Sequence, residues 1–445
     1  MNPTPFLPGL SPVLSKPLTA TFDGGRMSSD GGVVLLREIA CRLGLANVIA
    51  GPLQDNRDHH RIRHSYAEMV MGRMLAIAAG YEDCDDLDQL RFDPAFKIGC
   101  GRAPETGADL MSQPTLSRLE NTGDWWALAR IGIGLIDLFC RSFARQPAQI
   151  ILDIDETYDA VHGEQQLSMF NAHAGTTCFQ PIVIFDGLTG RPVTALLRPG
   201  KSPSGREIAM ILRHVIRRIR RHWPDVAILV RGDSQYTSGI VLEQLEKLSC
   251  DYILGFAINA KLKAFSEPWR QQCQQRRSLP HRPTVRRFHT LAYQGARWHR
   301  ARRVIARVEA TAQGTDARFI VTSLEGRSKH LYEKVYCARG AAENLIKDWK
   351  LYTRADKTAC HRWQANQFRL FLHTGAYWLL HELRRAAPKR SMWRGATFAT
   401  IRSAFVKIAV RVEELKTRIR LSFPANSPHE TMLIALTGAI TAAGP

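Results

Sequence analysis

The segment VYCARGAAENLIKDWK, residues 335–350, places four chemically reactive side chains in a pattern that otherwise predicts an ordinary amphipathic helix. At 100° per residue the four fall within an arc of about 60°, on one face over roughly four turns. Arginine and lysine position phosphates, whereas a carboxylate can hold a divalent metal. The spacing therefore predicts one wall of a metal-dependent site that processes DNA. The four residues are Tyr336, Arg339, Glu343 and Lys350.

Aspartates near two predicted strands favour this interpretation over a plain solvated face, in which Arg339 and Glu343 would merely form a stabilising i,i+4 pair. Asp153 and Asp155 lie in IILDIDET, at the downstream end of an apolar run, and Asp233 lies in AILVRGDS, just past another buried-type strand. Reactive groups gather at the carboxyl ends of strands in α/β sheets. We therefore expect these aspartates and the glutamate to converge.

Two strand-end aspartates and a helical glutamate are a suitable ligand set for two divalent cations about 3.5–4 Å apart. Magnesium prefers oxygen ligands and retains several waters, so we predict two Mg²⁺ per site, for which Mn²⁺ can substitute. The pattern does not choose the first ligand, because Asp153 and Asp155 are two residues apart and share one face of a strand. Asp233 has a structural alternative as the residue that begins a turn.

The charge balance points to a polyanionic partner. The 445-residue chain carries 61 Lys and Arg against 41 Asp and Glu, a formal net charge of +20. Each phosphate that a cation neutralises releases a condensed counterion, so such an excess favours nucleic acid. A basic protein of the membrane surface is the alternative, but the sequence has no lipidation signal, amphipathic anchor or apolar run of transmembrane length. We predict double-stranded DNA as the partner and no membrane.

The cysteines and the amino terminus predict a cytoplasmic, nucleoid-associated protein. The 9 cysteines are scattered singly without a CxxC pair, which argues for reduced thiols and against a zinc ribbon. The opening MNPTPFLPGLSPVLSKPL lacks the cationic start and apolar core of a secretory signal.

Changes in periodicity predict an α/β protein in several parts. Apolar residues at intervals of three and four predict helices in the first third of the chain, including 65–81 and 112–126. Strand-like runs then alternate with helical ones, which predicts a mixed sheet. The predicted parts are a mostly helical, DNA-binding N-terminal region (1–147), a catalytic core (148–262 and 328–385), a β-rich insertion (263–327) and a basic C-terminal helical region (386–445).

The four residues of the helical segment follow the pattern Tyr-x₂-Arg-x₃-Glu-x₆-Lys. This pattern resembles the signature of the Y-R-E-K branch of bacterial insertion-sequence transposases of the DDE type. The DIDET and RGDSQY runs look like the two aspartate strands of that branch. More narrowly, HGEQQLSMFNAHAGTTCFQPIVIFDGLTG, LRPGKSPSGRE, QPTLSRLEN and CHRWQANQFRLFLHTGAYWLL are similar to runs of the thirteen-eighty family. The resemblance extends from about residue 20 to about residue 435.

The resemblance implies an RNase H-like mixed-sheet core, with a β-rich insertion between the second aspartate and the glutamate. It also implies which acids are catalytic and bind the metal. They are Asp155, Asp233 and Glu343, and the first of them is Asp155 rather than Asp153.

The same resemblance implies roles on DNA for four further side chains. Tyr336, Arg339 and Lys350 would hold phosphates of the transposon end, which agrees with the general preference of cations for the DNA backbone. Trp298, in the insertion, would stack on an unpaired base near the cleavage site. Trp298 has a structural alternative as an aromatic residue that packs between strands.

The resulting prediction is a DDE transposase that binds the terminal inverted repeats of an insertion sequence, cleaves the DNA ends and joins the 3′ ends to target DNA. Because two ends must be brought together, a homodimer is expected in the synaptic complex. Two alternatives stay open. One is an RNase H-like nuclease that cuts without joining, and the other is a transposase-derived DNA-binding regulator without catalysis.

Overall fold

The computed structural model describes residues 11–279 and 283–442. The chain forms two compact units, one of Met1–Thr122 with Gly375–Pro445 and the other of Gly123–Thr374. The predicted α/β class, with a large mixed sheet and helices towards both ends of the chain, is confirmed. The finer division into four parts stays a prediction. None of the helices in the described part of the chain has the length and apolar character that crossing a bilayer requires.

The N-terminal part of the first unit is helical. The helix predicted at 65–81 is present, with the Ser65 side chain capping its first turn and Gly80 ending it in a left-handed conformation. A buried ion pair between Arg73 and Glu120, 3.3 Å apart, joins this helix to the last one. The helices are Val33–Leu43, Leu45–Ala50, Tyr66–Ala79, Leu87–Leu90, Pro94–Gly99 and Gln113–Glu120.

The C-terminal part of the first unit, predicted as a basic helical region at 386–445, contains paired strands as well as helices. Val410 and Val412 are buried while Arg411 between them is exposed. This alternation has the period of two that a strand requires, and no helical face would produce it. The elements are strands Val410–Glu414 and Ile419–Ser422, which pair with each other, strand Met27–Ser28, which pairs with the first of them, and helices Phe398–Ile401 and Glu430–Ala442.

The second unit is built on an 8-stranded mixed sheet. Its strands are β1 (Gln149–Glu156), β2 (Ile182–Asp186), β3 (Pro192–Leu196), β4 (Ala227–Gly232), β5 (Asp251–Phe256), β6 (Val285–Tyr293), β7 (Arg302–Thr311) and β8 (Gly314–Thr322). Their order across the sheet is β6-β7-β8-β5-β4-β1-β2-β3. β1, β2 and β3 are antiparallel neighbours, whereas β1, β4 and β5 run parallel.

Helices connect the parallel strands of this sheet. The second helix of this unit, Gly205–His222, has the amphipathic pattern of an ordinary surface helix. It buries Ile208, Leu212 and Ile219 on one stripe and exposes Arg213 and Arg217. Because helical crossovers join the parallel strands after an antiparallel start, the topology is consistent with an RNase H-like core. The helices are α1 (Trp125–Arg141), α2 (Gly205–His222), α3 (Gly239–Lys247), α4 (Ala260–Arg277), α5 (Gly340–Lys347) and α6 (Trp363–Ala386).

The segment predicted as a β-rich insertion, 263–327, begins with a helix rather than a strand. α4 buries Leu262, Ser266 and Cys273, which recur at helical spacing, and it packs on β7 and β8. The three strands that follow are not a separate sheet, because β8 pairs antiparallel with β5. They extend the sheet that carries the aspartates.

The segment that carries Tyr336 and Arg339 is helical, but it is not one regular α-helix. Leu331–Tyr336 is wound as a π-helix, Cys337–Arg339 as a 3₁₀ turn, α5 regularly, and Asp348–Tyr352 again as a π-helix. Such changes of winding are common where side chains are re-aimed at functional sites. A count of 100° per residue therefore does not hold along this segment, and its four reactive side chains reach different partners.

Candidate active site

Parallel pairing of β1 with β4 brings two candidate acids to the same end of the sheet. Asp153 lies opposite Arg231 in this register, so Asp155 and Asp233, each two residues further on, stand beside each other at the strand ends. Just past β4, the Asp233 side chain accepts a hydrogen bond of 2.9 Å from the Gln235 amide as the next turn begins. Asp233 therefore begins a turn and also faces its neighbour strand.

The structure separates the two aspartates of IILDIDET. Asp153 is 1% exposed, and its two oxygens accept hydrogen bonds of 2.6 and 2.7 Å from the Arg231 guanidinium. Arg231 also donates to the Val335 carbonyl at 3.0 Å, so this pair ties two strands to the helical segment after β8. The Asp155 side chain is 16% exposed, and its Oδ2 lies 2.9 Å from Arg339 Nη1. Asp155, rather than Asp153, faces the other acids.

Arg339 lies between two carboxylates. One of its nitrogens is 2.9 Å from Asp155, and the other is 3.8 Å from Oε1 of Glu343. Glu343 has 68% of its side chain exposed, so it can change rotamer freely. The guanidinium thus neutralises part of the negative charge that the acids bring together.

Tyr336 and Lys350 flank the acids on two sides. The Tyr336 side chain is half-buried, and its hydroxyl lies against Gly255 of β5. Lys350 donates a hydrogen bond of 2.6 Å to the Tyr158 carbonyl and lies 3.8 Å from Asp356. Three of the four residues of the helical segment therefore make contacts within the second unit, while Glu343 projects outwards.

Burial, with repulsion from the neighbouring acids, changes the pKa of Asp155. Burial raises the pKa of Asp155 to about 6, and the nearby carboxylates of Asp233 and Glu343 add to this rise, while Arg339 opposes it. The Asp155 carboxyl is consequently easier to protonate than an ordinary aspartate. A cation placed among the three acids would relieve that repulsion.

Glu156 is a further acid that sequence reasoning passed over. Burial and repulsion from Asp233 raise the pKa of its carboxyl to about 7, and Gln180 donates a hydrogen bond to its Oε1. Alternation along a strand assigns Glu156 to the face opposite Asp155, which is why the pattern did not select it. The available signal was its position in DIDET, at the very end of the strand.

Trp298 is buried in the structure. Its ring is 7% exposed, stacks on Phe256 with centroids 5.1 Å apart, and packs edge-on against Tyr293 at 5.9 Å. The Arg302 guanidinium lies over the same ring at 5.2 Å. These contacts account for Trp298 as a packing residue, and its stacking on a DNA base stays a prediction.

The residues present fit a divalent metal by their chemistry, although their side chains are not gathered as ligands here. In the ranges that the structure describes, no three metal-ligating side chains form a compact cluster. At this site Arg339 lies between Asp155 and Glu343. All three acids supply oxygen, the ligand that magnesium prefers, and their mutual repulsion favours a cation among them.

Gly255 is required at the base of the site, because a Cβ atom there would lie 2.8 Å from the Ser234 nitrogen and 2.8 Å from the Tyr336 hydroxyl. We expect Gly255→Ala to displace the turn that presents Asp233 and to lower DNA cleavage by about 10²-fold, as small misplacements at a reacting centre do. Cleavage rate and melting temperature should be measured together.

Gly340→Ala is the matched control, because a Cβ atom at Gly340 meets nothing within 4 Å. It should leave cleavage unchanged and favour the helix slightly. Equal activity of Gly255→Ala and Gly340→Ala would show that the Asp233 turn tolerates displacement.

A mixed sheet with aspartates at the ends of two parallel strands, and a glutamate on a facing helix, is typical of enzymes that cut and join phosphodiesters. The model of the family Transposase DDE domain group 1 matches residues 10–445. The chain therefore belongs to this family of DDE transposases, which generally use divalent metal ions. The predictions of a transposase, of DDE type and of DNA transposition are confirmed at this level.

One solved structure that is similar to this chain is a cryo-EM structure of the piggyBac transposase synaptic complex with hairpin DNA. The TM-score is 0.46 and the sequence identity 10%, over 84% of this chain and 80% of that chain. At this level of similarity no residue is transferred from one protein to the other. Among curated proteins, none matches this chain.

Proposed function

We propose that this transposase binds the terminal inverted repeats of an insertion sequence, cleaves the DNA ends and joins the 3′ ends to target DNA. The observation that carries the proposal is the register of β1 and β4, which sets Asp155 beside Asp233 at the strand ends, close to Arg339 and Glu343. The Y-R-E-K branch and the thirteen-eighty family are the finer assignment that we propose for it.

Asp155, Asp233 and Glu343 are the proposed ligands of two Mg²⁺ ions, for which Mn²⁺ can substitute. When bound, such a pair of ions activates the attacking water or 3′-hydroxyl and stabilises the leaving oxygen. The exposed Glu343 side chain is free to turn towards the strand-end aspartates. This freedom supports a site in which Glu343 joins the aspartates only when the metal ions and DNA are both bound.

Tyr336, Arg339 and Lys350 are the proposed phosphate-binding residues of the transposon end. Arg339 presents a planar fork that suits a phosphate as well as it suits Asp155. Lys350, which donates to the Tyr158 carbonyl and lies 3.8 Å from Asp356, has a further N–H to offer a phosphate. In both cases a phosphate of the transposon end would add an anionic partner to the one already present.

The wider partners follow from charge and from the reaction. The formal net charge of +20 supports binding to duplex DNA along an extended surface. Joining requires two transposon ends in one complex, so we propose a homodimer in that state. We also propose that the protein acts in the cytoplasm, on the nucleoid.

Arg339→Ala should tighten the binding of Mn²⁺ to the DNA-free protein, because the guanidinium competes with a cation for Asp155 and Glu343. Removal of a positive charge about 4 Å from the acids should raise Mn²⁺ affinity by about tenfold or more. The free Mn²⁺ concentration, measured by electron paramagnetic resonance, gives this affinity without any cleavage assay.

Lys350→Ala is the control for this measurement, because Lys350 contacts the Tyr158 carbonyl and not the catalytic acids. It should leave Mn²⁺ binding at the native level. If Arg339→Ala leaves the Mn²⁺ affinity unchanged, the guanidinium does not compete with a metal ion for these carboxylates.

The experiment that tests the proposed function uses a labelled duplex with the element's terminal repeat, a target plasmid and Mg²⁺. Cleavage at the repeat end and covalent joining of the 3′ end to the plasmid are the expected products. Cleavage without joining would favour the nuclease alternative. Specific binding with no cleavage in Mg²⁺ or Mn²⁺ would favour the regulator alternative.

A further inference from the structure

A cleft of about 680 Å³ lies between the start of β6 and the helical segment that follows β8. We name it the β6 cleft. Cations dominate its lining, which contains four of them and a single carboxylate. Such a surface attracts anions over a distance of about one Debye length. The cations are Arg286, Arg287, Arg327 and Lys329, and the carboxylate is Glu333.

One arginine of the cleft, Arg286, forms ion pairs with two carboxylates. Arg286 lies 2.7 Å from Glu309 and 3.0 Å from Glu333. These two partners neutralise much of its charge and hold its side chain in place, although 42% of that side chain is exposed. It is therefore less available to an external anion than the unpaired cations of the cleft.

Two of the other cations are uncompensated. Arg327 and Lys329 are exposed, and within the described residues neither forms an ion pair with a carboxylate. They lie two residues apart on the segment after β8, whereas Arg287 alternates with Arg286 along β6 and points to the opposite face of the sheet. Neighbouring cations without counter-charges repel each other, so an anion beside them stabilises the arrangement.

A chain of aromatic contacts connects the β6 cleft with the catalytic acids. The Phe288 ring, in the cleft lining, lies 5.6 Å from Tyr332, and Tyr332 lies 5.6 Å from Tyr336. Lys329 and Arg339 also lie on the same helical segment, so one continuous element joins the cleft to the catalytic acids.

We propose that the β6 cleft binds backbone phosphates of duplex DNA next to the part of the duplex held at the catalytic acids. Arg327 offers a planar fork that binds phosphate bidentately, and Lys329 adds a point charge. The location relative to the scissile phosphate rests on the proposed function. The binding itself does not, because phosphate contacts require neither cleavage nor a particular sequence.

The test measures binding of the full-length protein to a fluorescent duplex of mixed sequence, about 30 base pairs or three helical turns long. Affinity is recorded between about 50 and 200 mM salt, because each phosphate contact contributes about 0.9 to the slope of log K against log salt. The variants are Arg327→Gln with Lys329→Gln, and, as a matched control, Arg213→Gln with Arg217→Gln on the exposed face of α2. Melting temperatures confirm that each variant folds.

The cleft variant should lower the salt slope by roughly 1 to 2, and the α2 variant should leave it near the native value. Glu333→Gln should act in the opposite direction, because it removes the only carboxylate of the cleft lining. An unchanged slope in the cleft variant would overturn the proposal. So would displacement of the duplex by inorganic phosphate at constant ionic strength, which would indicate a pocket for small anions. Failure of the native protein to cut a terminal repeat would reject the proposed function alone.

Discussion

Asp155→Asn should abolish metal-dependent cleavage, with a loss of about 10³-fold or more, and leave duplex binding near the native level. The substitution keeps the shape of the side chain but removes the charge and one oxygen ligand. Loss of metal stabilisation worth several kcal/mol corresponds to three or more powers of ten in rate. Single-turnover cleavage of the terminal-repeat duplex and a separate binding titration measure the two quantities.

Two further acids and one control complete this experiment. Asp233→Asn and Glu343→Gln should behave like Asp155→Asn, because each removes one of the proposed ligands. Glu325→Gln, which changes an exposed glutamate of the same unit, should cut normally. Normal cleavage by Asp155→Asn together with failure of Glu156→Gln would mean that the first ligand is the neighbouring acid.

Asp153→Asn should have the second large effect, and this effect should be on stability rather than on chemistry. Arg231 is 3% exposed, and both oxygens of Asp153 accept hydrogen bonds from its guanidinium. Removal of one partner leaves a buried cation without its counter-charge, which costs about 3–5 kcal/mol. The free energy of unfolding, from urea titration, should fall by that amount.

A double substitution tests whether the pair is needed for its charge. Asp153→Leu combined with Arg231→Met replaces both ions by apolar groups, a change that is often neutral in buried pairs. It should recover most of the stability lost in Asp153→Asn. A double variant as unstable as the single one would point instead to the bond that Arg231 donates to the Val335 carbonyl.

The same substitution should therefore destabilise the protein much more at Asp153 than at Asp155, because only Asp153 has both oxygens bound to one buried guanidinium. Burial and like charges raise the pKa of Asp155 to about 6, so at neutral pH the folded state holds an unfavourable negative charge there. Removal of that charge should leave the fold as stable as the native protein or more stable, while it removes activity. Equal loss of stability in Asp153→Asn and Asp155→Asn would contradict this division of roles.

Much of the core was predictable because its signals are local. The apolar runs before Asp155 and Asp233 fall on β1 and β4, and the alternation of strands and helices from residue 148 to residue 262 matches the observed elements. The acidic residues stand at strand ends because apolar residues fill the strands that precede them. Residue type and spacing therefore sufficed to propose the candidate acids, while the choice of Asp155 and the assignment to DDE transposases came from the resemblance to that family.

Where the sequence analysis differed from the structure, the deciding contacts were distant in the chain. The strand at Val410 and Val412 is short, and it also pairs with Met27–Ser28 near the start of the chain. α4 occupies the first part of the segment that was expected to be β-rich, because its buried side chains pack on strands that come later. Local propensity does not contain such information.

By itself, the sequence determined the set of candidate acids, the excess of positive charge and the order of strands and helices in the core. Only the tertiary structure decided that Asp153 pairs with Arg231 while Asp155 meets Arg339, and that Trp298 lies buried against Phe256. The physical reason is that two side chains on one strand face are equivalent in pattern. They become different only when a neighbouring strand places a cation opposite one of them.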